Sequence, residues 1–226
     1  MQTPPAIVQA LHADEISFAR TRDPRFARDR QVLIRSLGRQ PRLLAAVLRL
    51  APAERDDLLA RRDLQRLSDV GPPLRARIRV ARPAPLARLT SWYREGEGRF
   101  GVRWQLLAAV NFVESAFGKV RNSSTAGAQG PMQFLPATWR AYGLGGDVHD
   151  PHDAILGAAN YLRANGGAHD ERDALYHYNP SPLYVDAVLK LAQRITHVPS
   201  ALAEYYDWDV YVRTASGYRR YRVSGA

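Results

Sequence analysis

Hydrophobic positions recur at helical spacing along most of this chain and at strand spacing only near its end. Phe26, Val32, Leu33, Ile34 and Leu37 predict one helix, with Pro24 in its first turn and Gly38 as its stop. Leu43, Leu44, Val47, Leu48 and Leu50 make a second short apolar face, and Pro52 opens a third helix through Leu58, Leu59, Leu64 and Leu67. Val70 to Pro85 then holds Gly71, Pro72, Pro73, Pro83 and Pro85. Proline at that density blocks helix and central strand alike, so the segment is expected to be a linker or an extended strap.

From Leu86 the pattern changes to longer amphipathic helices with Gly-rich connections. Leu106, Val110, Val113 and Phe117 fall on one stripe of a helix over 102–117. Asp150, Pro151 and Asp153 read as N-cap, first-turn proline and first-turn acid of a helix through Ile155, Leu156, Ala159 and Leu162, closed by Gly166. Val185, Val188, Leu189 and Ala192 share one side of a helix over 183–195. Tyr206, Trp208, Val210 and Val212 alternate, Ala215-Ser216-Gly217 turn, and Tyr218 to Val223 returns, which is a hairpin signal. The expected architecture is mainly α: a basic helical module over 1–69, a Pro-rich linker over 70–85, a helical domain over 86–200, and a C-terminal β-hairpin over 201–226 packed on that domain.

Composition narrows the possible functions. The 226 residues carry a net charge of +10, and residues 1–85 hold 17 Arg against 9 acids, so the surplus belongs mostly to the N-terminal part. A basic surface favours polyanions such as nucleic acid, anionic membrane or an acidic cell wall. No zinc finger, RNP or helix-turn-helix pattern is present, so no nucleic-acid partner is expected. The absence of cysteine removes disulfides, Cys-ligated zinc and thiol nucleophiles together. G-x-S-x-G, Walker A and G-x-G-x-x-G patterns are absent too, which removes the usual hydrolase, nucleotide and dinucleotide readings. His149 and His152 with Asp147, Asp150 and Asp153 form the one group that suggests a metal, but a helix cap accounts for Asp150 and Asp153 and no ligand motif is completed. No metal or cofactor is expected.

Glu114 borders the apolar stripe of the 102–117 helix instead of its solvated face. Partial desolvation there favours the protonated carboxyl, the form needed to protonate a glycosidic oxygen near neutral pH. An acid on a helix flank is by itself usually a cap or a surface residue. The segment that follows, SAFGKVRNSSTAGAQGPMQFLPATW, is rich in Gly, Ser, Thr and amides, groups suited to lining a sugar groove. No Asp or Glu occurs from Ser115 through Gly146, so no second carboxylate is near in sequence.

Glu114-Ser115, Gly127-Ala128-Gln129-Gly130-Pro131-Met132-Gln133, Pro136 and Thr138 resemble the signature of the soluble lytic transglycosylase (SLT) family, an E-S pair followed by a G-A-x-G-x-M-Q block. Tyr178-Asn179 and Tyr184-Val185 match two further blocks, and Asp147 to Leu162 resembles the segment leading into the next core helix. The resemblance spans about 100 to 197. It differs at Pro131, where the family commonly has Leu.

The resemblance implies a lysozyme-like helical catalytic domain and a lytic transglycosylase acting on the MurNAc-β-1,4-GlcNAc bond of peptidoglycan. Glu114 would be the general acid/base and Tyr178 would face it. Ser124 would contact an N-acetyl group, with Ser123 or Thr125 as alternatives in a loop one residue longer. Ser115, Met132, Gln133 and Asn179 would line the sugar sites. Most glycosidases pair two carboxylates across the scissile bond. A single Glu suffices if it protonates the leaving oxygen and then takes the proton of the sugar's own C6 hydroxyl, closing a 1,6-anhydro ring. A muramidase hydrolysing the same bond and an inactive wall-binding scaffold are the alternatives.

The expected partner is the glycan strand, contacted by a monomer, with the N-terminal module making electrostatic contact with anionic wall. An extracytoplasmic location is expected (cell wall, periplasm or secreted). The first fifteen residues lack a basic n-region and carry Pro4 and Pro5, so no export signal is read there and the native one would be missing from this chain.

Overall fold

Helix α1 (Pro4–Thr21) begins on two prolines, Pro4 and Pro5. Proline fits the first helical turn, where its missing N–H has no partner to lose. Ile7, Leu11 and Phe18 then form a buried stripe. Its opening turn is made of residues that look like helix breakers. The computed structural model describes residues 3–73 and 77–223. Of the expected segments, residues 1–2, 74–76 and 224–226 lie outside the described residues.

Helices α2 (Pro24–Leu37), α3 (Pro41–Leu50) and α4 (Arg55–Val70) follow the predicted apolar faces, and the Asp23 side chain caps α2 at Arg25 N. Beyond the proline-rich segment come α5 (Leu86–Phe100), α6 (Trp104–Ser115), α7 (Pro136–Tyr142), α8 (Pro151–Ala164), α9 (Glu171–Tyr178), α10 (Pro182–His197) and α11 (Ala201–Asp207). Asp150 accepts from His152 N and Asp153 N, the cap the sequence predicts for α8. The hairpin consists of β1 (Val210–Thr214) and β2 (Gly217–Tyr221), antiparallel, with Val210 opposite Tyr221. Tyr206 belongs to α11 and Trp208 to its exit, so the alternation read from 206 overstates the strand by two pairs. Among the described residues the fold is thus mainly α, with one small antiparallel hairpin.

The basic helices at the N-terminus share one core with the helices after Leu86. Helix α10 packs most extensively on α4 and next on α6, and buried Ile34, Val47 and Leu58 belong to the same hydrophobic cluster as Leu107, Val188 and Leu191. A buried ion cluster crosses the same boundary. Arg30 of α2 binds Glu54, Asp57 (2.5 Å) and Glu204 (2.9 Å), while Arg194 of α10 binds Asp57 (2.7 Å), Glu204 (3.4 Å) and Glu15 (3.0 Å). The Tyr205 hydroxyl also donates to Asp57. Arginine surplus in the sequence suggests solvated faces, yet two of these arginines are buried at the centre.

The proline-rich segment is an extended strap over its described part. Val80 pairs with Val120, Ala81 N donates to Lys119 O (2.9 Å), and Arg121 N donates to Arg79 O (2.9 Å). The strap therefore lies against the stretch that follows α6, and the Tyr206 hydroxyl fixes its end at Ala84 O. No helix among the described residues is long and apolar enough to cross a membrane.

Candidate active site

Glu114 is the penultimate residue of α6, is partly buried, and is among the residues lining a cavity of about 300 Å³. Removal from water pushes its carboxyl up to about 7, against the pull of the Tyr184 hydroxyl, which donates to Oε1 at 2.6 Å. Tyr184 lies in the first turn of α10 and is itself buried. Its ring is parallel to that of Tyr178, with centroids 6.5 Å apart. Tyr178 in turn lines a second hollow of about 100 Å³, together with Gln133, Phe134, Leu135, Thr138, Tyr161 and His177. A line of three side chains, Glu114, Tyr184 and Tyr178, thus joins the two depressions.

The loop after α6 is held by a short polar network. Asn111 accepts from the Tyr93 hydroxyl (2.6 Å) and donates to Pro131 O (2.9 Å). The Ser115 hydroxyl donates to the same carbonyl (2.5 Å) and accepts from Gly118 N (2.8 Å). Because the network uses the backbone oxygen of residue 131, a proline there serves as well as a leucine. Gln129 and Phe134 exchange backbone hydrogen bonds across Gly130 to Gln133, which makes the G-P-M-Q block a tight turn. Gly130 sits at φ +74°, and a Cβ on it would lie 1.9 Å from Val148 O, so only glycine fits. Gln133 also adopts a positive φ, of 52°, rare for a residue with a side chain.

The expected site residues divide into those that face open space and those that build the wall. Gln133 lines the second hollow, its Nε2 donating to Gly130 O at 2.8 Å. Asn179 caps the end of α9 and is half-buried. The Tyr178 hydroxyl does not reach Glu114: it donates to Met132 O at 2.6 Å, and Tyr184 takes the place expected of it. The Met132 side chain has no exposed surface, so its contribution is to pack beneath the turn and offer that carbonyl. Ser115 is buried and spent on the loop network. Ser124 is exposed, but its hydroxyl accepts from Ala126 N (3.2 Å) and Ala128 N (3.0 Å), which shapes the loop.

Tyr184 was legible in one respect. It stands in the apolar stripe of α10 with Val188 and Leu191, and a tyrosine buried there must find a partner for its hydroxyl. Sequence alone does not say which partner. The opposite wall of the larger cavity, Arg35, Arg61, Trp208, Tyr211 and Tyr218, comes from α2, α4 and the C-terminal tail, and no local pattern announced it.

Among the described residues, Asp150, His152 and Asp153 bring potential ligand atoms within 4.8 Å of one another. Asp150 is occupied as the α8 cap, Asp153 accepts from Asp147 N (2.9 Å), and His152 Nε2 pairs with Glu95 (2.8 Å). Each of the three is thus engaged in holding α8 and its approach.

The family model of the transglycosylase SLT domain matches residues 91–194, which include Glu114, Tyr178, Tyr184 and the whole 117–135 loop. Membrane-bound lytic murein transglycosylase F of Thiobacillus denitrificans is 33% identical over 81 residues, a stretch making up 36% of this chain and 17% of that protein. The chain therefore aligns with about a sixth of that relative's length. The likeness to the SLT domain thus covers residues 91–194 and does not extend to the N-terminal helices or the C-terminal hairpin.

Proposed function

We propose that this protein is a lytic transglycosylase of peptidoglycan, cleaving the MurNAc-β-1,4-GlcNAc bond without water and leaving 1,6-anhydro-muramyl ends. The observation that carries the reading is Glu114 itself, a carboxyl raised to about 7, bound by a tyrosine hydroxyl and lining an open cavity. Near neutral pH such a group holds its proton often enough to give it to the leaving oxygen, and is basic enough to recover one from the C6 hydroxyl. The Tyr184 hydroxyl stabilises the carboxylate between the two transfers. Among the described residues, Asp209 is the other carboxylate lining that cavity, and Arg220 (2.5 Å) and Arg28 (3.5 Å) hold it. That engagement leaves it poorly placed to position a water or attack C1.

Gln133 and Asn179 lie on the Tyr178 side and would contact sugar there, whereas Ser115, Ser124 and Met132 act by holding the loop. The working form is a monomer in the wall or periplasm, and the basic N-terminal helices add attraction to the anionic polymer. Digestion of sacculi in water enriched in heavy oxygen tests the chemistry. The expected muramyl ends carry none of the label, because the attacking oxygen comes from the sugar. Label at C1 of most product ends would move the protein to the muramidase reading.

A further inference from the structure

The wall of the Glu114 cavity facing α6 contains two arginines that the transglycosylase chemistry does not use. Arg35 of α2 and Arg61 of α4 both line it, with Tyr211 and Tyr218 of the hairpin beside them. The Arg35 guanidinium stacks 3.7 Å above the Tyr211 ring, and 5.2 Å from that of Tyr218. Arg61 Nε is buried without a hydrogen-bond partner. Stacking accounts for the alignment of Arg35 but supplies no countercharge. Each nearby acid is otherwise engaged. Asp209 binds Arg220 and Arg28, Asp69 accepts from the Tyr218 hydroxyl at 3.2 Å, and Glu114 is turned to Tyr184.

Burial pushes Arg35 down to about 10 and Arg61 down to about 9, each made worse by the neighbouring arginines. Two like charges placed together against desolvation are costly unless something opposite in charge joins them. The guanidinium fork suits a planar carboxylate, which it can bind through two parallel N–H donors.

We propose that Arg35 and Arg61, backed by Tyr211 and Tyr218, form a carboxylate-recognition subsite that selects glycan carrying an acidic substituent near the scissile bond. The inference rests on the proposed action on peptidoglycan. Two groups on that polymer share the chemistry: the lactyl carboxylate of a peptide-free muramyl residue and the carboxylates of a stem peptide. The subsite is built by segments outside residues 91–194, so it is specific to the way this chain covers its SLT domain.

The test measures kcat and KM of the full chain on peptide-free glycan oligosaccharides, on peptide-bearing ones, and on each after its carboxylates are converted to amides. If the subsite takes the lactyl group, amidation of the peptide-free strand raises KM about tenfold, the loss expected for one charge-assisted contact, and leaves kcat within about twofold. If it takes the stem peptide, only amidation of the peptide-bearing strand does so. Arg61→Met and Arg35→Met should abolish the discrimination, and Arg61→Lys should keep part of it.

A wild-type protein indifferent to both amidations would overturn the proposal, as would methionine variants that discriminate as well as the wild type. Should the methionine variants fail to fold, the wild-type amidation comparison still decides. If the wild type cleaves none of the strands, the transglycosylase reading fails instead. Calorimetric binding of the same strands, native and amidated, then judges the subsite alone.

Discussion

Two glutamates in this molecule have been lifted in the same direction by the same cause, and they stand in different surroundings. Burial raises both Glu114 and Glu204 to about 7. Around Glu204 stand Arg30 of α2, Arg194 of α10 and Asp57 of α4, and it has no exposed surface. Around Glu114 stand one tyrosine hydroxyl and a cavity. A raised carboxyl is therefore not in itself a mark of chemistry. What distinguishes the two is whether the proton has somewhere to go.

The comparison would break most visibly at Glu114→Gln. An amide cannot cycle a proton, so the expected loss on sacculi is at least the ~10²–10⁴-fold typical of a general acid/base, with the thermal transition unmoved. Glu204→Gln should do the reverse, keeping activity per folded molecule within about threefold while lowering the melting temperature. More than a tenth of wild-type turnover in pure Glu114→Gln would falsify the assignment.

The structural glutamate can be stressed from its partner's side. Arg30→Met strands Glu54, Asp57 and Glu204 with one cation fewer, a change that costs ~3–5 kcal/mol when a buried pair is broken. Because the cluster joins α1, α2, α4, α10 and α11, we expect one cooperative transition at lower temperature, followed by both calorimetry and circular dichroism. Separate melting of the N-terminal helices, with residues 86–200 still folded, would show that the shared core does not unite them.

At Glu114 the finer test is pH. Glu114 must be protonated to act as an acid, so kcat/KM should be present below about pH 7 and fall as pH rises through it. The Tyr184 hydrogen bond favours the carboxylate. Removing it in Tyr184→Phe should shift this limb upward by roughly one unit, equivalent to ~1.4 kcal/mol, and slow turnover. Tyr178→Phe should have the smallest effect. It loses a bond to a backbone carbonyl, worth about 1 kcal/mol of loop stability, and should leave the limb in place. A shift of the limb in Tyr178→Phe but not in Tyr184→Phe would return the partnership to Tyr178.

Local information made much of this legible. Helix α6 ends at Ser115, which leaves Phe117 beyond the stripe read over 102–117 and Val113 half-buried, but the Asp150 cap and the burial of Leu106 and Val110 are set by residues within a few positions of one another, and the sequence carries them. So is the placement of Glu114 at the edge of a buried face. The rest depends on residues far apart in the chain. Nothing near Tyr184 says that its hydroxyl meets position 114, and nothing near Arg30 says that it meets Glu204. The concentration of arginine in residues 1–85 set the first 69 apart as a basic module, but solvated and buried arginines have the same formal charge. Proline misled at the N-terminus alone, since an extended strap is one of the two forms expected of residues 70–85. It forbids a helix interior, yet it opens α1 and lets the strap lie extended beside Val120.

The end of α6 has one further consequence. Ala116, Phe117 and Gly118 follow it with φ of 52°, 64° and 81°, three successive left-handed residues that stop the helix one position beyond Glu114. The aligned peptide dipoles of α6 therefore present their negative pole where the carboxyl sits. A helix carboxyl terminus disfavours a nearby anion by ~0.3–1 kcal/mol. An acid on the first turn of the same helix would feel the opposite field and lose its proton sooner. The direction in which the chain runs past this cavity thus helps to keep the proton on Glu114.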